Sequence, residues 1–185
     1  MDLSELDGLD ARECMRRAEL TLDEVTRLVD AGFMTQPASV KWHLNYPGGL
    51  ALHCVHVVRN ILKLTPVLGV AWELERSPYR IGLLHDMVKC HCYAVDASGA
   101  VSYARHRLEN EAHGIASLKY AVADVFAGDE SALNAQERAG ILHHMGAYGL
   151  DRTQLQYFGN AKREMPREIL CVHWADDMAA TIDEA

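Results

Sequence analysis

Apolar positions recur at helical spacing through most of this chain and alternate in one stretch only. Thr21-Leu22-Asp23-Glu24 has the form of a capping box and opens a helix that runs to about Ala31, ahead of Gly32. An earlier helix is expected over about Ala11 to Leu20. Residues 34–49 read as a loop, with Pro37, Pro47 and the Gly48-Gly49 pair. Beyond it, Leu50, Cys54, Val57, Val58, Ile61 and Leu64 fall on one face, which predicts an amphipathic helix over about 49–64. Thr65-Pro66 and Ser77-Pro78 both have the form of a cap followed by a first-turn proline, and the second is expected to open a helix reaching about Lys89. Tyr93, Val95, Val101 and Tyr103 alternate around Asp96-Ala97-Ser98-Gly99, which predicts one short β-hairpin within 91–104. Helices resume at about 109–126, 135–145 and 166–181, with a shorter one near 151–157. The expected fold class is all-α, a helical bundle of six or seven helices carrying one hairpin. Leu20, Leu22, Val25, Leu28 and Val29 give the first 35 residues an apolar side that must be covered by the bundle or by a second copy of the chain in a homodimer.

Composition narrows the function classes. The 185 residues are 49% hydrophobic and 24% charged, which suits one folded domain. Lys and Arg number 18 against 26 Asp and Glu, a net charge of −8, so an extended nucleic-acid surface is not expected. Five irregularly spaced cysteines argue against a disulfide framework. The acidic start Met1-Asp2-Leu3-Ser4-Glu5 is unlike a signal peptide, and no apolar run reaches the roughly 18 residues of a membrane span, so a cytoplasmic location without membrane contact is expected.

Ten histidines are the unusual feature. His85-Asp86 sits among Ile81, Leu83, Leu84 and Val88, where an unpaired charge would be costly, and Lys89 follows one turn later. His53, His113, the His143-His144 pair and Asp176 are presented from four other helical segments. Inward side chains on facing helices are how bundles build metal sites, and nitrogen with carboxylate oxygen suits Zn, Fe, Mn and similar divalent ions. Cys90-His91-Cys92 is too tightly spaced for a zinc knuckle, and Cys54 and Cys171 read as small core residues. His56, three residues after His53, reads as a structural or supporting neighbour.

The order His, His-Asp, His, His, Asp resembles the HD superfamily of metal-dependent phosphohydrolases. Gly48-Gly49-Leu50-Ala51-Leu52-His53 is similar to its Gly-Gly-Leu-Leu-Glu-His opening, and Leu83-Leu84-His85-Asp86-Met87-Val88-Lys89 to its Leu-Leu-His-Asp-x-x-Lys signature. His113-Gly114-Ile115-Ala116-Ser117, His143-His144-Met145-Gly146 and Ala175-Asp176 resemble its remaining motifs. The likeness runs from about His43 to the last residue, which implies a hydrolase domain over 36–185 preceded by a helical extension over 1–35. It implies a first ion on His53, His85, Asp86 and Asp176, and a second on His113 and His144 with Asp86 bridging; His143 is the alternative to His144. One or two divalent ions of Fe, Mn, Zn, Ni, Co or Mg would serve as cofactor. The implied activity is hydrolysis of a phosphate ester or anhydride by metal-activated water, on a nucleotide or related small molecule. Asp86 and Lys89 are the catalytic candidates, and Lys89, Arg105 and His43 the candidates for holding substrate. A phosphodiesterase or nuclease on a cyclic nucleotide or short oligonucleotide, and a non-catalytic ligand-binding module, are the alternatives.

Overall fold

The computed structural model describes residues 6–104, 111–146 and 165–185. Among these residues it is an all-α bundle with one two-stranded hairpin. Helix α1 spans Ala11–Arg17, with the Asp10 side chain accepting the Glu13 amide at its start. Helix α2 spans Leu22–Asp30, and both halves of the Thr21/Glu24 capping box form. Helix α3, Gly49–Leu68, packs chiefly on α4, Ser77–Leu84, and on α8, Arg167–Met178. Every residue of α4 is buried, which places it at the centre of the bundle. A short helix α5, Lys89–Cys92, leads into strands β1, Tyr93–Val95, and β2, Val101–Tyr103, which pair antiparallel with Tyr93 opposite Tyr103. Helices α6, His113–Tyr120, and α7, Ala135–His143, complete the wall around α4. The candidate helix near 151–157 and the basic run Arg105-His106-Arg107 lie outside the described residues.

Two glycines allow the bundle to close tightly. A Cβ on Gly82 would stand 2.5 Å from Val58 Cγ2, so α4 and α3 meet almost backbone to backbone. A Cβ on Gly114 would collide with the Leu142 carbonyl, which brings α6 against the end of α7. His113 and His144 both adjoin the second of these contacts.

The N-terminal segment shares the core. Cys14, Met15, Leu28 and Phe33 are buried in the same cluster as Val57, Ile61, Leu83 and Met87. Buried Arg80 on α4 donates from Nε to the Ala18 carbonyl at 2.8 Å, and Arg59 on α3 donates to the Leu9 carbonyl at 2.6 Å. These bonds give backbone carbonyls beside α1 the partners they need.

Two sequence expectations fail. Thr65-Pro66 does not open a helix: α3 continues through Pro66 to Leu68 and closes at Gly69 in the left-handed conformation, φ 61°. The Thr65 hydroxyl instead donates back to the Ile61 carbonyl at 2.7 Å. Leu62, Leu64 and Leu68 pack against the core, and their burial outweighs the one ladder bond a last-turn proline removes. The helix opened by Ser77-Pro78 does not reach Lys89 but ends at Leu84. From there the bonds tighten to three-residue spacing, with Lys89 N–H on Asp86 O at 2.8 Å and Cys90 N–H on Met87 O at 3.1 Å. In such a tight turn residues three apart eclipse, so Asp86 and Lys89 are stacked on one side.

Candidate metal centre

Five elements deliver the titratable side chains at the bundle centre. His53 comes from α3, His85 and Asp86 from the tight turn after α4, His113 from the first residue of α6, His144 from the end of α7 and Asp176 from α8. Imidazole rings run in a chain through the site: His43 to His53, 5.1 Å between centroids, His53 to His85, 5.4 Å, His85 to His144, 5.0 Å, and His144 to His113, 5.3 Å.

Asp86 is the hub. Its Oδ2 lies 2.6 Å from Lys89 Nζ and 3.4 Å from both His53 Nε2 and His85 Nε2. Its Oδ1 lies 2.6 Å from His113 Nε2 and 3.8 Å from His144 Nε2. Asp176 Oδ1 faces the same group, 3.2 Å from His53 Nε2 and 3.7 Å from His85 Nε2. Two sets of three close ligand atoms share Asp86, His53-His85-Asp86 and Asp86-His113-His144, and a third, His43-His53-Glu184, adjoins them through His53; each could hold a metal ion. His143 belongs to none of them.

The second nitrogen of each ring shows how the first is aimed. His85 Nδ1 sits 2.9 Å from the Gly82 carbonyl and His144 Nδ1 2.7 Å from the Ile141 carbonyl. A carbonyl oxygen only accepts, so a proton is assigned to Nδ1 in both rings, and Nε2 is the nitrogen turned toward the carboxylates. Those Nε2 atoms, and that of His53, are buried without a hydrogen-bond partner among the described residues. Unsatisfied buried nitrogens are costly in a folded core, and three of them converging beside two carboxylates fit a divalent cation.

Electrostatics separate the members. Burial, with His85 and His113 nearby, pulls the His144 pKa down to about 3, so this ring is neutral. Burial opposes the charge on His53 too, but Asp176, Asp86 and Glu184 outweigh it and raise the ring to about 10. Burial likewise works against Asp86, yet Lys89, His85, His113 and His53 hold it well below the usual carboxylate range. The Lys89 ammonium is desolvated, and Asp86 overcomes that and keeps it protonated.

On one side the site opens. A cleft of about 240 Å³ is lined by Lys89, Cys92, Tyr93, Tyr103, Glu111 and His113, among others. His43 stands on the opposite side, its Nε2 3.9 Å from Glu184 Oε2, and does not line this cleft. His56 Nδ1 is 2.9 Å from Glu184 Oε1. Arg105 lies outside the described residues. His91, in the Cys90-His91-Cys92 string, pairs instead with Asp124 at 2.7 Å and stacks on Tyr120. Glu184 is the functional candidate that sequence reasoning missed; it stands eight residues beyond Asp176, in no motif, and only its position in space marks it.

Over 107 residues the chain is 33% identical to the dihydroneopterin 2',3'-cyclic phosphate phosphodiesterase of Methanocaldococcus jannaschii. That stretch is 55% of this chain and 41% of the relative, so the chain spans about two fifths of the relative's length. No protein-family model and no solved structure matches the chain. No described helix is long and apolar enough to cross a membrane.

Proposed function

We propose that this protein is an HD-type metal-dependent phosphohydrolase acting on a small phosphorylated molecule, with a cyclic phosphodiester as the first substrate class to test. The observation that carries this reading is the convergence of three buried, partnerless imidazole Nε2 atoms on Asp86 and Asp176. In this reading His53, His85, Asp86 and Asp176 hold one divalent ion. His113 and His144 hold a second, with Asp86 shared. Ions so placed supply a water nucleophile at neutral pH and stabilise charge on an attacked phosphoryl group.

The chain's own residues do the rest. The Gly82 and Ile141 carbonyls fix His85 and His144 with Nε2 turned inward. Lys89 bridges from Asp86 to the cleft, where its fixed positive charge meets an entering phosphate. The cleft is small and the chain carries −8, which favours a small anion over a polymer. The relative's activity, on a cyclic phosphate, points the same way. Residues 36–185 are proposed as the catalytic unit, with 1–35 covering its flank.

Elemental analysis of the purified protein, followed by hydrolysis assays with Mn, Fe, Co, Ni and Mg, tests the proposal. The panel holds 2',3'-cyclic nucleotides, phosphomonoesters and a short oligonucleotide. Chelator-sensitive hydrolysis of the small substrates is expected. A metal-loaded protein that leaves every substrate intact would make the domain a binding module instead.

A further inference from the structure

The last turn of the chain carries a carboxylate whose placement the phosphohydrolase reading does not use. After α8 the helix widens into a π-helical turn, Ala179–Asp183, and Glu184 caps it. This turn lies along α3, where His53, His56 and Asn60 occupy positions i, i+3 and i+7 and so share a face. Asn60 Nδ2 donates to Asp183 Oδ2 at 2.7 Å. Glu184 lies beside the two histidines. Its side chain is fully buried, both of its oxygens lie 3.1 Å from His53 Nδ1, and Oε1 also lies 2.9 Å from His56 Nδ1. A π turn is rare and often marks a functional site; here it sets the carboxylate opposite the histidines.

We propose that Glu184 is a positioning residue for metal ligand His53. Its carboxylate accepts the hydrogen bond from Nδ1–H, which turns Nε2 toward the space between Asp86 and Asp176. The inference rests on the reading of His53 as a ligand. His85 and His144 have backbone carbonyls for this task. His53 sits inside a long helix whose carbonyls serve the helix ladder, so its orienting acceptor comes from 131 residues away. A carboxylate is a stronger acceptor than a carbonyl and raises the basicity of the ring it holds. His56 contacts the same Oε1 from one turn along α3, and His43 Nε2 lies 3.9 Å from Oε2, so the carboxylate is held among three imidazoles.

Zinc titration against a competing chelator tests the assignment, on the full-length wild type and on Glu184→Ala, Glu184→Gln and Asp183→Asn. Glu184→Ala is expected to weaken zinc about 10- to 100-fold with unchanged stoichiometry. Glu184→Gln, whose amide oxygen still accepts a proton, should recover part of that loss. Asp183→Asn disturbs the same turn without touching His53 and should bind zinc like the wild type. In long-range ¹H–¹⁵N spectra of the zinc-loaded protein, the His53 Nδ1 proton should be protected from exchange in the wild type and lose protection in Glu184→Ala. If Glu184→Ala lowers only thermal stability, or Asp183→Asn weakens zinc equally, the role is structural and the proposal falls. Loss of one zinc equivalent with unchanged affinity for the other would make Glu184 a ligand and also overturn it. A wild type that binds no zinc or other divalent ion removes the reading of His53 as a ligand, and the proposal with it.

Discussion

Among the buried carboxylates of this bundle, Glu137 and Asp86 are satisfied in opposite ways. Glu137, fully buried at the start of α7, accepts from the Ser77 hydroxyl at 3.0 Å, from Arg76 Nε at 3.2 Å and from the Asn134 amide at 3.0 Å. Its own amide donates to Asn134 Oδ1 at 2.7 Å, so the group is at once a helix cap and the anchor of the α4 N-terminus. Each of its contacts joins one donor to one acceptor. Asp86 has Lys89 and His113 at 2.6 Å and then three further imidazoles at 3.4–3.8 Å whose facing nitrogens have no hydrogen-bond partner. A buried charge that serves only the fold collects the donors it needs. A buried charge ringed by nitrogens that the described residues leave unpartnered is arranged for something that binds them. Burial by itself therefore does not mark function; the balance of partners does.

Substitutions at the two carboxylates should part the two roles. Asp86→Ala is expected to empty the centre of metal and abolish hydrolysis, because the shared ligand serves both sets; elemental analysis and a turnover assay read this directly. Full metal content in that variant would move the site elsewhere. His144→Ala should lose one of two ions, whereas His143→Ala, outside both ligand sets, should change metal content far less.

Lys89→Ala should retain metal and lose about 2.7–4 kcal/mol of transition-state stabilisation, a factor of roughly 10²–10³ in kcat, by analogy with a positioned oxyanion donor. Wild-type turnover in that variant would leave Lys89 as the partner of Asp86 alone. Glu137→Ala should do the reverse. It costs about 1–3 kcal/mol for each buried donor left unpaired, seen as a lower denaturation midpoint, with metal per folded protein unchanged.

The smallest expected effect is on the pH dependence of stability. In protein stripped of metal, His53 with its pKa raised from 6.5 to about 10 stabilises the fold below pH 6.5, and that contribution fades as pH climbs toward 10. His144, lowered from 6.5 to about 3, contributes above 6.5 and loses that contribution as pH falls toward 3. Chemical denaturation across pH 5–10 should thus show stripped protein declining on the alkaline side. Loading with metal, which needs the His53 nitrogen deprotonated, should flatten that decline. An alkaline limb that survives in His53→Gln would assign it to another group.

The amino-acid sequence by itself determined the elements and most of the chemistry placed on them. Helical spacing from Leu50 to Leu64, the Thr21/Glu24 box and the alternation around Asp96-Ala97-Ser98-Gly99 are local signals, and local backbone preferences answer to them. His53, His85-Asp86, His113, His144 and Asp176 were legible as a set because residue types this costly to bury recur on apolar faces. Where α3 ends was not legible, since Pro66 is a local stop signal and the packing of Leu62, Leu64 and Leu68 that overrides it is not local. Nor was the tightening after Leu84, which aligns Asp86 with Lys89. The sequence prefers His144 to His143 only through the likeness of His143-His144-Met145-Gly146 to a family motif; the close approach of α6 to α7 at Gly114 and the Ile141 carbonyl put the second of the two inside. Glu184 had no signal at all, because a carboxylate near the end of a chain becomes special only when folding lays it on a histidine 131 residues away. Periodicity is written in neighbours, whereas the partners of a buried charge are chosen by which faces the bundle brings together.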